Sequence, residues 1–133
     1  MIGVVVATHG RLAEEMIRTA EAVVGRLEQV AAVSVVATSP DMRGDLKEAI
    51  QRVDQGEGVL LLTDLLGGSP TNLCVSFLTE RKVEVVTGVN LPMLLKLSGL
   101  RASGKPIAQI AHDLAEAGQH SIGHVSKSLR SLG

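Results

Sequence analysis

Tryptophan and tyrosine are absent from this chain of 133 residues, and phenylalanine occurs once. Single-stranded nucleic acid and purine rings therefore lack the stacking platforms they prefer. Charge is nearly balanced, at a formal −1, so there is no electrostatic footprint for nucleic acid or an anionic membrane surface. Cys74 is the only cysteine, which excludes an intrachain disulfide and a cysteine-based zinc site. No metal-ligand spacing stands out, so no metal or other cofactor is expected. The apolar runs fall far short of the ~20 residues of a membrane span. Met1 leads directly into a strand-like run, with no basic segment and no small-residue cleavage site. These absences predict a cytoplasmic chain that does not insert into a membrane.

What the chain has is aliphatic bulk. Apolar residues make up 45% of it, enough for a real core within one domain spanning residues 1–133. Ile2–Ala7 is continuously apolar and β-branched, as a strand covered on both faces should be. From Arg11 to Val24, Leu12, Met16, Ile17, Ala20, Val23 and Val24 recur at helical spacing until Gly25. Val30–Ala37 is a second strand, and Ser39-Pro40-Asp41 then opens a more polar helix over Arg43–Val53. Val59–Thr63 is the third strand, Thr71–Leu78 the next helix, and Lys82–Val86 the fourth strand. Asn90 and Pro92 mark another helix start. Ser103-Gly104-Lys105-Pro106 then separates that helix from Ile107–Ala117. In the tail, Ile122, His124 and Ser126 alternate with Gly123, Val125 and Lys127, which reads as a short antiparallel edge strand. The order predicts an α/β fold, a three-layer α/β/α sandwich around a mostly parallel, doubly wound sheet of order 2-1-3-4.

In that order the carboxyl ends of strands 1 and 3 flank the switch-point crevice, where open α/β sheets carry their chemistry. Strand 1 delivers Thr8-His9-Gly10. Strand 3 delivers Thr63-Asp64, followed by Gly67-Gly68-Ser69 at a helix entrance. A histidine that accepts a phosphoryl group needs one ring nitrogen free and the other protonated and hydrogen-bonded, and Asp64 is the obvious partner for that proton. Gly67, Gly68 and Ser69 offer unhindered backbone N–H groups to phosphoryl oxygens, and Gly10 a second such end. Each residue also has a plain reading: His9 filling a βα turn, Asp64 capping a helix, the glycines making a tight connection. Their convergence on one switch point favours a site. Arg11 adds charge there or is simply solvated.

Competing chemistries fit less well. GGSPTN lacks the lysine of a nucleotide-binding loop. Ala7-Thr8 stand where a histidine phosphatase has arginine, and a receiver-type magnesium site needs more acids than Asp64. His112, His120 and His124 read as structural or solvated, Cys74 as a small buried hydrophobe, and Glu14, Glu15 and Glu21 as a solvated face. Asn90-Leu91-Pro92-Met93 is a helix start on the active edge that also could shape a docking surface.

Three stretches, VVVATHGRLAEEMIRTAEAVVG around His9, LLLTDLLGGSPTNLC around Asp64 and TGVNLPMLL from Thr87, resemble the mannose/fructose-type IIA domains of the bacterial sugar phosphotransferase system (PTS). The resemblance covers essentially the whole chain. It implies a phosphotransferase component in which His9 takes a phosphoryl group from phospho-HPr and passes it to a IIB component. It also implies that Asp64 pairs with the ring and that Ser69 lies at the phosphate pocket. A homodimer is implied too, with the C-terminal edge strand exchanged between subunits. Where the family often carries Thr-Trp after the aspartate, this chain has Leu65-Leu66, which bears on partner choice rather than on phosphoryl chemistry. The chain ends soon after the presumed edge strand, so the IIB partner is expected to be a separate chain. A second reading keeps His9 as acceptor but makes the protein a regulatory module whose phosphorylation state controls docking, without sugar transport.

Overall fold

The structure is a computed structural model describing residues 1–36 and 38–132. Four strands, β1 (Gly3–His9), β2 (Val30–Val35), β3 (Val59–Thr63) and β4 (Val83–Val86), form a parallel sheet of order β2-β1-β3-β4. β1 is central, with Val4 opposite Val30 on one side and Leu60 on the other. This is the expected switch-point order. Ala37, the last residue of the expected second strand, lies outside the described residues.

Alternation along the buried strands sorts the core into two layers. Val4, Val6, Leu60 and Leu62 pack on one face against α1 (Leu12–Val24), α4 (Leu91–Arg101) and α5 (Ile107–His120), meeting Ala13, Ala20, Met93, Leu94, Leu97, Ile110 and Leu114. Val5, Ala7, Val59 and Leu61 face α2 (Met42–Val53) and α3 (Ser69–Val75), meeting Leu46, Ile50, Val53, Cys74 and Phe77. Helices on both faces make the predicted α/β/α sandwich. The sole aromatic ring, Phe77, is fully buried, and the Arg43 guanidinium lies 4.3 Å from its centroid. Cys74 is buried as expected, and burial pushes its thiol up to about 12, so it stays protonated and inert at neutral pH.

Some expectations are corrected. α1 does not bury the whole predicted stripe: Ala13 and Ala20 are in contact with the core, while Leu12, Val23 and Val24 are exposed. Small residues at the contact let the helix sit close to the sheet, which turns the larger aliphatics outward. α3 spans Ser69–Val75 rather than Thr71–Leu78. Pro70, with its preset φ and missing N–H, suits the first turn. Past Val75 the chain tightens into turns with Phe77 N–H donating to Cys74 O and Leu78 N–H to Val75 O. α5 runs on to His120, packing so closely that a Cβ on Gly118 would lie 2.7 Å from Met93 Sδ.

The largest correction is the tail. Among the described residues the expected C-terminal antiparallel edge strand does not form; the tail instead forms a helix, α6 (Val125–Leu132). The apparent alternation rested on Ile122 as its one apolar member. Val125, Leu129 and Leu132 recur four and three residues apart, which is helical spacing. Ser128 N–H donates to His124 O as that helix begins. Among the described residues, no helix is long and apolar enough to cross a membrane.

Candidate functional site

His9 is the last residue of β1, in register with Val35 of β2, so regular sheet pairing fixes its backbone. Its side chain stands out from the sheet edge and is 48% exposed. Asp64 follows β3 directly, and its side chain is 12% exposed. The carboxylate reaches back across the β1/β3 boundary. Asp64 Oδ2 accepts from the His9 backbone N–H at 3.0 Å and lies 3.0 Å from His9 Nδ1, with Oδ1 at 3.3 Å.

Burial raises the Asp64 carboxyl, but the hydrogen bonds from the His9 ring and backbone N–H, together with the charge on the ring, outweigh it and hold the group below its ordinary 3.8. Asp64 is therefore ionised at neutral pH and can only accept hydrogen bonds. The hydrogen between the two groups must belong to Nδ1. This leaves the Nε2 lone pair of a neutral ring uncommitted.

The β3–α3 connection meets the other side of the ring. A Cβ built on Gly68 would fall 2.9 Å from His9 Cε1 and 3.6 Å from Nε2, so any other residue would push on the imidazole beside its free nitrogen. Gly67 reaches this approach at φ +83°, a conformation that favours glycine. Ser69 is exposed at the start of α3, and Gly10 follows His9 into α1. The structure thus brings His9, Asp64 and Gly68 into contact, with Gly10, Gly67 and Ser69 on the same edge. Arg11 turns outward, 77% exposed and 3.7 Å from Glu14, consistent with a solvated role.

Buried hydroxyls support the arrangement in a way that residue spacing alone does not reveal. Thr8 Oγ1 accepts from Ala13 N–H at 2.8 Å, pinning the first turn of α1 to the end of β1. Thr63 Oγ1 lies 2.7 Å from Thr71 Oγ1, and the Thr71 hydroxyl donates to Leu65 O. The available signal was a threonine closing an apolar run just before each site residue. A hydroxyl buried there needs a partner.

Exposed apolar side chains follow each strand end at this edge: Leu12 after β1, Val36 after β2, and Leu65 and Leu66 after β3, Leu66 at 85%. Asn90 does start α4. Its Oδ1 accepts from Met93 N–H, its Nδ2 donates to Gly118 O, and it adjoins Val89, whose N–H donates to Thr63 O. Elsewhere, His112, Asp113 and Glu116 come within metal-binding distance of one another. Their groups are already engaged, however, Asp113 by Lys105 and Gln109 and His112 by Glu116.

A sequence profile of the family described as "PTS system fructose IIA component" matches residues 3–115. The chain is 29% identical over 124 residues to the PTS system mannose-specific EIIAB component of Escherichia coli K12, a match covering 91% of this chain and 38% of that protein. It is 28% identical over 104 residues to the PTS system fructose-specific EIIA component of Bacillus subtilis, covering 76% of this chain and 71% of that one. The chain therefore spans well under half the length of the mannose-specific relative. Among solved structures, the PTS IIA protein associated with the fucose utilization operon of Streptococcus pneumoniae superposes with a TM-score of 0.80 at 32% identity, over 96% of this chain and 95% of that one. With the profile match running from the first residue of β1 into α5, the chain belongs to the mannose/fructose-type IIA family of phosphotransferase-system components.

Proposed function

We propose that the chain is a phosphocarrier that accepts a phosphoryl group on His9 Nε2 from phospho-HPr in the cytoplasm and passes it to a IIB component. The supporting observation is the Asp64 pairing at Nδ1, which holds the ring in the tautomer whose Nε2 is nucleophilic. In the accepting step the Nε2 lone pair forms a bond to phosphorus as the donor's phosphorus–nitrogen bond breaks, its electron pair returning to the donor ring. The Nδ1 proton stays where it is. Asp64 keeps that hydrogen bond and stabilises the positive charge the substituted ring acquires. Backbone N–H groups of Gly10, Gly67, Gly68 and Ser69 cradle the phosphoryl oxygens. Transfer to IIB reverses these bond changes on a new acceptor. The half-exposed ring, with Leu65 and Leu66 exposed on the loop that follows Asp64, suits a site that another protein must reach.

Incubation with phosphoenolpyruvate, enzyme I and HPr is expected to label one acid-labile, base-stable position, and His9→Ala to lose the label while keeping the native circular dichroism spectrum. Equal labelling of His9→Ala would overturn the reading.

A homodimer belongs to the same proposal. β4 occupies one end of the sheet order, and Ile122, Val125, Leu129 and Leu132 expose an apolar strip along the tail. Such surfaces are costly to leave in water, and a second copy would cover them. Sedimentation velocity is expected to give a dimer; a monomer at micromolar concentration would remove this part.

A further inference from the structure

We propose that Thr71 is a positioning residue that holds the Asp64 carboxylate against His9 Nδ1. Thr71 hydrogen-bonds to neither the ring nor the carboxylate; it acts on the residues either side of Asp64. Its hydroxyl carries one proton, and Leu65 O can only accept, so that proton goes to Leu65. The Thr63 hydroxyl, 2.7 Å away, must then donate to Thr71. The result is a directed chain from Thr63 through Thr71 to the Leu65 carbonyl. Thr63 and Leu65 are the two neighbours of Asp64, so one oxygen on α3 holds the Thr63 side chain on one side of it and the Leu65 backbone carbonyl on the other.

Both threonines are shut off from water, at 0% and 5% exposure, so solvent does not stand in for a lost partner. The Thr63 carbonyl is held as well, accepting from Val89 N–H at 2.9 Å. At the other end of the connection, α3 carries Gly68 at its N-cap, the residue pressed against the ring. Asp64 must meet both the backbone N–H and the ring nitrogen of His9 at 3.0 Å. A Leu65 carbonyl released from Thr71 lets residues 64–68 turn, and that double contact is the first thing lost.

The inference deepens the phosphocarrier reading and rests on it only for the transfer rate. Thr71→Val keeps the shape and removes the hydroxyl; Thr71→Ser keeps the hydroxyl. In Thr71→Val, ring ¹⁵N spectra of neutral His9 should move from the Nδ1–H tautomer towards a mixture. The Asp64 carboxyl titration should move up towards the ordinary carboxylate range, and transfer from phospho-HPr should slow by about tenfold, as for loss of a group that orients a reacting ligand. Thr71→Ser should restore the spectrum and the titration. If Thr71→Val does not fold, Thr71→Ala carries the same expectations. Wild-type ring and carboxyl signals in the folded hydroxyl-free variant overturn the proposal, whatever the transfer rate. Shifted signals with unchanged transfer support Thr71 in this role and count instead against Asp64 in the chemistry.

Discussion

The two strand ends that meet at the site each place a threonine just before the site residue, and they are held in different ways. β1 closes with Thr8-His9, and β3 with Thr63 followed by Asp64. At the first end two residues, Gly10 and Arg11, lead into α1, and His9 is still paired within the sheet. One bond from Ala13 N–H to Thr8 finishes that connection. At the second end five residues separate β3 from α3, and Asp64 is the first of them. Residues outside strand and helix have no ladder to fix them, so that loop is pinned at Leu65 by Thr71 of α3, which is itself bonded to Thr63 at the end of β3. The nucleophile thus stands on regular structure, while its orienting carboxylate depends on side chains. Changes on the β3 side should disturb chemistry, and changes on the β1 side should disturb stability first.

The largest effect expected from this contrast is that of Asp64→Asn. The amide can still meet the ring, but it carries no charge and can donate to Nδ1, favouring the wrong tautomer. Transfer from phospho-HPr should fall by about a hundredfold, with the fold retained. The same variant reads out the carboxyl itself. Because the folded-state value of Asp64 is depressed, its contribution to stability is present above the ordinary carboxylate range and is lost as pH falls through the depressed value. Urea unfolding of the wild type should therefore weaken more steeply than that of Asp64→Asn below about pH 4, the two curves converging in acid. Parallel curves would mean that the pair contributes nothing to folding.

Gly68→Ala should come next. Its new methyl would start 2.9 Å from His9 Cε1, so the ring or the loop must give way next to Nε2. A small displacement of a reacting atom is costly, and we expect about tenfold slower labelling with a cooperative unfolding transition close to that of the wild type. Wild-type labelling would show that the β3–α3 loop can retreat freely, and the idea of a firmly pinned loop would fail with it.

The same contrast explains what could be read from the residues. β1 and β3 were legible because both faces are buried and the runs are continuously apolar, and the crevice followed from strand order alone. His9 and Asp64 could be paired on that basis before any distance was known. The tie from Thr71 could not, since it depends on a helix starting two residues earlier than Thr71-Asn72-Leu73 suggested, which brings a hydroxyl back to Thr63 eight positions away. The α1 stripe is legible in part: Met16, Ile17 and Ala20 meet the core as their spacing predicts, whereas Leu12, Val23 and Val24 are exposed and Ala13 takes a core position, because close approach to the sheet favours the alanines. The tail reads as a strand only through Ile122, which alone supplies the alternation, whereas Val125, Leu129 and Leu132 carry a helical period that is visible only when the run is followed to its end.

The smallest effect, and the one that tests the contrast most directly, is that of Thr8→Val. Valine preserves the β-branched shape within the sheet but leaves Ala13 N–H without its acceptor in a buried position. The expected cost is about 1 kcal/mol of stability, the usual scale for a lost helix-end hydrogen bond, measured as a shift in the urea midpoint at unchanged slope. Because His9 is held by its pairing with Val35, labelling should stay within about twofold of wild type, and the ring should keep its Nδ1–H tautomer. Thr71→Val should do the opposite, with a clear change at the ring. If Thr8→Val shifts the ring spectrum as far as Thr71→Val does, the two strand ends are mechanically one unit, and α1 as well as α3 must be counted among the elements that set His9 for transfer.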